Sequence, residues 1–427
     1  MLDLNIDIVI LSTYDADGSG IFARQLLQSV KSLGYTARMV TVRKTSTDSD
    51  VKGIYARHSV KGFSYSVKSR LSKSLLRAKT EYAFLETCSI NPTDALVENI
   101  LPHKCQLIVS TFLSGMFTPE SFAEIQRKLG GPPVIFYGVD MNLFTGGCHY
   151  AKSCSQYMSD CSECPAVFPL AKAFVKKNFQ KKLDMVNSLI SHSVVASSDE
   201  HRRQLTASRI FGESDIQEIL MWVSDEIYGA HESSRQKLKA DFGFGRRTLL
   251  VRSSSEPRKG SGLFVEAIRL LNEKNEGLLS SLDIVAVGDH YIFDLLTPLG
   301  IKVTSLGYVG NDVELPRLYT ASDFFINTSF LDGGPMMLSQ SLMSYTPVIT
   351  TDVGLARNLV VPGVTGVILE RMTPSNLASV ILDYCRKPDV ELNVMRFAAR
   401  ELAVKLLSKD LYMFKLSNLI NSLLGFK

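Results

Sequence analysis

The residues best suited to chemistry lie between Asp323 and Gly354. An apolar segment, Phe324-Phe325-Ile326-Asn327-Thr328, runs into the turn Asp332-Gly333-Gly334-Pro335, then Met336 to Met343, then Pro347-Val348-Ile349. Length and punctuation predict strand, glycine turn, short helix and strand. Two glycines let a ligand approach the backbone closely, and the helix start behind them offers unpaired N–H groups and a positive dipole end. Anions dock at such places. Asp332 adds an acid able to accept hydroxyl groups beside the anion. A sugar joined to a diphosphate satisfies both features.

A second set is Cys148, Cys154, Cys161 and Cys164, with His149 beside the first. The C-x5-C-x6-C-x2-C spacing puts four thiolates within tetrahedral reach and predicts a structural zinc site, closed to catalysis, that pins the loop 145–165. Reduced core thiols, a disulfide pair or another metal are the alternatives. His149 is a replacement ligand or a site residue near an acceptor. Cys88, Cys105 and Cys385 are scattered, as buried cysteines usually are. There is no Ser-His-Asp or Gly-x-Ser-x-Gly pattern, and no Asp-x-Asp at a strand end, where metal-dependent transfer would need it.

The elements that must position these residues read as an alternating α/β chain. At 427 residues, two domains of comparable size are expected. Ile6 to Ser12 is an apolar run, followed by the small-residue loop Tyr14 to Gly20, a helical pattern through Phe22, Leu26, Leu27, Val30 and Leu33, and a strand over Ala37 to Val42. This opens a parallel βαβ sheet. In its loop, Gly18, Ser19 and Gly20 put small residues at a helix start, where backbone can touch a ligand; a plain tight turn explains them equally well. Further strands are predicted at Tyr82 to Leu85, Gln106 to Thr111, Val134 to Val139 and Ser188 to Ser197, with Asp199 capping a helix. A second series runs from the strand Leu249 to Arg252 through strands at Ile284 and Val303 to the one at Phe324. The expected organisation is a Rossmann-like domain over 1–215 and a crossing over 216–247. A second Rossmann-like domain follows over 248–400, then a helix over 401–427 that returns to the first. Two doubly wound parallel sheets then face a cleft that holds the ligand.

Three stretches in the second half carry a resemblance. They are Pro257-Arg258-Lys259-Gly260 after the first strand, Leu306-Gly307-Tyr308-Val309 ahead of a helix ending at Asp323, and the run Asp332 to Gln340 with Thr346-Pro347-Val348-Ile349. Together they resemble the GT-B retaining glycosyltransferases of family 4, most specifically over residues 248–370. Phe144-Thr145-Gly146-Gly147-Cys148-His149-Tyr150 with the later cysteines is similar to a subgroup that builds bacterial surface polysaccharides.

The resemblance implies that Lys259 contacts a donor diphosphate, with Arg258 or Arg252 as a second cation; Ser254 stands where the family commonly has an arginine. Asp332 takes the place of a glutamate that binds sugar hydroxyls. The backbone of Gly333, Gly334, Pro335 and Met336 would face sugar and phosphates, with Met337 either beside them or plain helix core. Gln340 stands where a second glutamate binds the ribose, and Tyr308, Val309 and Gly310 would line the base pocket. Asp140 follows the position of a family histidine that is Val139 here, so that histidine's role is absent or filled by another residue. The implied activity is retaining, metal-independent transfer of a hexose-type sugar from a UDP- or GDP-sugar to a glycan or lipid-linked acceptor. Lys259, an arginine and a helix N-terminus would stabilise the leaving phosphate. A catalytically degenerate sugar-nucleotide-binding or scaffold subunit is the competing reading, kept open by Val139 and Gln340.

Bulk charge excludes little but its distribution is informative. A formal charge of +4, without lysines interleaved with aromatics, gives no reason to expect nucleic acid. Residues 51–80 and 165–183 hold no acid; Lys61 and Lys68 lie in the first, Lys172, Lys176, Lys177, Lys181 and Lys182 in the second. The first also holds Phe63, Tyr65, Val67 and Leu71, so it is either a solvated helix face or a contact with anionic lipid. The chain enters its first strand without a basic leader and has no apolar run of about 18 residues or more. The expectation is a cytoplasmic protein with peripheral contact to the inner face of the membrane. Oligomeric state is not legible.

Overall fold

A computed structural model describes residues 6–55, 59–76, 100–245, 247–274, 279–310, 312–334 and 336–425. The strand expected over Tyr82 to Leu85, and Arg57, His58, Arg77, Lys79, Cys88 and Pro335, lie outside the described residues. The chain separates into two units, one of residues 1–197, 201–219 and 413–427, the other of 198–200 and 220–412.

In the first unit Ile8 to Leu11 are fully buried. A strand with no polar face must be covered on both sides, which is the condition of a central parallel strand. That strand, β1 (Ile8–Ser12), pairs in parallel with β2 (Ala37–Arg43) and β4 (Leu107–Phe112), the latter following β3 (Val51–Tyr55) in the chain. With β5 (Val134–Phe136), β6 (His192–Ala196) and β7 (Ile216–Glu218) the sheet order is β3-β2-β1-β4-β5-β6-β7. Helix α1 (Asp17–Ser32) begins inside the expected loop, so Gly18, Ser19 and Gly20 form its first turn. A Cβ on Gly20 would stand 2.4 Å from the carbonyl carbon of Asp15, whereas beside Gly18 there is open space. The Asp15 carboxylate accepts the Thr45 and Ser46 N–H groups at 2.8 Å each and fixes that corner. The other helices used below are α2 (Val60–Leu76), α3 (Pro119–Lys128), α4 (Lys172–Ser188) and α5 (Asp199–Ala207).

The second sheet comprises β8 (Arg247–Ser253), β9 (Leu282–Gly288), β10 (Val303–Ser305), β11 (Phe324–Asn327), β12 (Val348–Thr350) and β13 (Gly366–Ile368). Its order is β10-β9-β8-β11-β12-β13, and every pair is parallel. The order reverses between β8 and β11. Beyond the carboxyl ends of such a pair the connections part and leave a crevice. α6 (Ser261–Lys274) follows β8 and α7 (Met336–Met343) follows β11. The foot of β11 is held by Asp323, which accepts from Arg235 at 2.6 Å, Lys239 at 2.8 Å and the Thr248 N–H at 2.8 Å. The chain closes with α8 (Asp389–Leu407) and α9 (Lys409–Leu424), parted at the extended residue Ser408. Among the described residues no helix is long and apolar enough to cross a membrane.

Candidate functional site

In the second unit the loops leaving β8 and β11 meet. After β8 the chain makes one 3₁₀ turn, Pro257–Lys259, and reverses at Gly260 with φ 67°. A Cβ there would stand 1.9 Å from the Thr328 carbonyl oxygen, so only glycine lets the two loops touch. The Phe330 N–H donates to the Arg258 carbonyl at 2.8 Å and locks the contact. These contacts bring the Lys259 ammonium onto the Asp332 carboxylate, with side chains 5% and 11% exposed. Gly334 N–H approaches the same carboxylate at 3.5 Å. Burial pushes the Lys259 pKa below its ordinary value; Arg252 and Arg258 push the same way, and Asp332 opposes without restoring it. The first-turn N–H groups of α7 follow directly, and helix geometry leaves them without intrahelical partners. Cation, carboxylate and helix start are thus adjacent, an arrangement that favours an anion carrying hydroxyl groups.

The other expected residues are placed less uniformly. Arg258 is occupied by structure, donating to Glu256 at 2.5 Å and to the Leu331 carbonyl at 3.3 Å. Arg252 is exposed. Gln340 is half-buried and hydrogen-bonds Tyr228, whose hydroxyl donates to Asp312 at 3.2 Å. Val309 packs on the core, whereas Tyr308 is 84% exposed and folds over Gly310, where a Cβ would meet its ring at 2.3 Å. Met336 and Met337 are half-buried at the edge of the same core. Sequence reasoning missed Asp289, which follows Gly288 at the end of β9 and accepts the Ser255 N–H at 2.6 Å, fixing the start of the loop that carries Lys259. Its only signal was an acid at a strand end.

In the first unit, Asp140 and His149 come together. Asp140 accepts the Asn142 N–H at 2.9 Å and lies 2.7 Å from His149 Nδ1. Burial raises the Asp140 pKa, but His149 and the Asn142 N–H outweigh it and hold the carboxyl below its ordinary value. The carboxylate is therefore ionised, and His149 Nδ1 carries the hydrogen between them. The imidazole stacks on Phe112 with centroids 4.9 Å apart, and its Nε2 is buried without a hydrogen-bond partner. An imidazole thus accompanies Asp140 although position 139 is valine. Two residues nine apart in an irregular segment gave no periodic signal of this.

His201 lies close by, 4% exposed and stacked on Phe144. Burial pushes its pKa down to about 4, with Asp140 opposing. A group depressed in the folded state binds more protons when unfolded, so its stabilisation is complete above the unfolded value near 6.5 and declines as pH falls toward 4. Between pH 7 and pH 5 the loss expected from this residue is about 2 kcal/mol, read as a lower urea midpoint, and His201→Leu should flatten that slope. An unchanged slope would assign the acid sensitivity elsewhere.

The four clustered cysteines gather. Among the described residues no group of three or more His, Cys, Asp or Glu could hold a metal ion. The thiols are satisfied otherwise. Cys148 hydrogen-bonds Cys164, which raises the pKa of Cys148 and, with the N–H groups of Ala166 and Val167, lowers Cys164 to about 7. Cys161 accepts the Gly146 N–H at 3.4 Å. Cys148, Cys154, Cys161 and Cys164, where zinc was expected, are free thiols, three of them buried and Cys154 half-buried. The lysines of 165–183, acid-free in sequence, meet acids from outside the segment. Lys172, Lys176 and Lys181 pair with Glu163, Asp160 and Glu120, and buried Lys182 donates to the carbonyls of Asn142 at 2.6 Å and Thr145 at 3.0 Å.

Residues 246–387 match the family described as glycosyl transferases group 1. No curated protein matches the chain in sequence. Among solved structures, Anabaena Alr3699/HepE in complex with UDP and glucose superposes with a TM-score of 0.67 at 15% identity, covering 98% of this chain and 100% of that one. Sucrose-phosphate synthase from Thermosynechococcus elongatus gives 0.68 at 13% identity, with 99% and 100% covered. WaaG, a glycosyltransferase involved in lipopolysaccharide biosynthesis, gives 0.63 at 14%, with 98% and 100% covered. At such identities the likeness carries the fold. Residues 246–387 thus resemble glycosyl transferases group 1 in sequence, and the two parallel-sheet units are those of the GT-B fold.

Proposed function

We propose that the protein is a retaining glycosyltransferase that moves a hexose-type sugar from a UDP- or GDP-sugar to a glycan or lipid-linked acceptor in polysaccharide biosynthesis. The observation that carries this reading is the buried Lys259–Asp332 pair at the mouth of α7, between the loops of the strand reversal. On binding, the diphosphate takes the Lys259 ammonium, and the Asp332 carboxylate turns to the sugar hydroxyls. Exposed Arg252 serves as the second cation, since Arg258 is committed to the loop. As the glycosidic bond stretches, charge grows on the leaving phosphate, where a fixed cation and helix N–H groups stabilise it without reorganising. Gln340 accepts from the ribose, and Tyr308 to Gly310 bracket the base. In the first unit, Asp140 with His149 supplies the polar pair for the acceptor side, His149 standing in for the missing histidine at Val139. The chemistry needs no metal.

Titration calorimetry with a panel of UDP- and GDP-sugars, followed by hydrolysis and transfer assays, tests the reading. One sugar nucleotide should bind and turn over. Binding without turnover, even with acceptors, favours the degenerate binder; no binding by any nucleoside diphosphate removes both readings.

Peripheral contact with anionic membrane belongs to the same proposal. Val60, Phe63, Val67 and Leu71 stand three or four residues apart on α2 and are 85%, 70%, 42% and 57% exposed. One helix thus shows solvent a continuous apolar stripe, with Lys61 and Lys68 on the same helix. Flotation with anionic liposomes should carry the protein at low salt, and Phe63→Glu should abolish it. Equal flotation of that variant would remove α2 from the contact.

A further inference from the structure

A cavity of about 360 Å³ lies in the first unit, bounded by α3, α4 and segments 113–118 and 142–143. Its size falls within the range of about 300–1,000 Å³ typical of small-molecule sites. Phe117, Phe122, Leu143 and Met185 are buried around it and make its walls apolar. Of its polar groups, Asn178 already donates to the Gly146 carbonyl at 3.0 Å and Lys182 to backbone carbonyls. Asn142 lines the cavity, is 4% exposed, and has its amide nitrogen buried with no hydrogen-bond partner. Its backbone is fixed, the N–H by Asp140 at 2.9 Å and the carbonyl by the Lys182 ammonium at 2.6 Å. Glu120 also lines the cavity, but Lys181 meets its charge at 2.5 Å. Lys177 lines it as well and is exposed. A buried amide donor costs free energy unless an acceptor meets it, and an anionic oxygen is a strong one.

We infer that this cavity binds a single-chain anionic amphiphile, its tail against Phe117, Phe122 and Met185 and a phosphate-type head accepting from Asn142 and facing Lys177. The inference goes beyond the transfer reaction and stands on the first unit alone. Neither the sugar nor the donor site enters it.

Calorimetry of the full chain with decyl phosphate, below its aggregation threshold, tests it against decanol and inorganic phosphate. Decyl phosphate should bind once per chain and at least tenfold more tightly than decanol, while inorganic phosphate shows no saturable heat. Asn142→Ala should weaken decyl phosphate at least tenfold, and the surface change Lys177→Glu should narrow the preference over decanol without altering the thermal melt. UDP titrated into the same samples separates the two claims: UDP heat lost while decyl phosphate still binds defeats only the donor reading. No saturable decyl phosphate binding, equal affinity for decanol, or full affinity in both variants would overturn the inference.

Discussion

Lys259→Ala should lower the turnover of sugar transfer by about 100- to 1,000-fold, the usual consequence of deleting a fixed group that stabilises a leaving oxyanion. The expectation follows from position. Lys259 is buried by the meeting of two loops that glycine at 260 alone permits, and its ammonium is held on Asp332 at the start of α7. Such a cation is positioned before the charge it must meet appears. The variant also leaves a carboxylate 11% exposed without its partner, so part of any loss could arise from instability. The double variant Lys259→Met with Asp332→Asn separates the two effects, because it removes both charges and should recover stability without recovering transfer. A pH series adds an independent sign. Because the Lys259 pKa is lowered by burial, the ammonium needed by a diphosphate is lost at lower pH than for an ordinary lysine. Donor affinity should therefore fall as pH rises through that lowered value, while the free protein, relieved of a buried charge, gains stability over the same interval. Lys259→Ala with wild-type turnover would remove the residue from the mechanism.

Asp140→Ala is the second large effect, and it concerns folding as well as chemistry. The carboxylate serves two donors, the Asn142 N–H and His149 Nδ1, in a region where the histidine is 2% exposed. Truncation leaves both without an acceptor, which costs about 3 kcal/mol. Asp140→Asn keeps one acceptor oxygen and should cost less than half of that. Urea unfolding at pH 7 reads the stability, and transfer assays at a temperature where the variant is folded should still show a loss on the order of 100-fold if His149 must be oriented by Asp140. An alanine variant as stable and as active as the parent protein would reduce the pair to a packing detail.

Much of this was readable from residue order, and what was not has physical causes. The central strands β1, β8 and β11 announce themselves as apolar runs because both faces are covered. The strands that sequence patterning does not reveal, β3, β7 and β13, all lie at sheet edges, where one neighbour and partial exposure permit sequences such as Val51-Lys52-Gly53-Ile54-Tyr55. At the candidate site the glycine turn with its acid is legible because backbone conformation dictates glycine there. Contact partners are not legible. Nothing in order alone shows that Arg258 is spent on Leu331, that Gln340 bonds Tyr228, or that His149 returns to Asp140. The cysteine spacing shares this limit, since spacing sets reach but not which group each sulfur meets.

The decisive measurement is a crystal structure of the protein soaked with UDP. The β-phosphate should lie within hydrogen-bond distance of Lys259 Nζ and against the first turn of α7, with the Asp332 carboxylate released toward the sugar position. A diphosphate bound elsewhere, with the Lys259–Asp332 pair undisturbed, would contradict it.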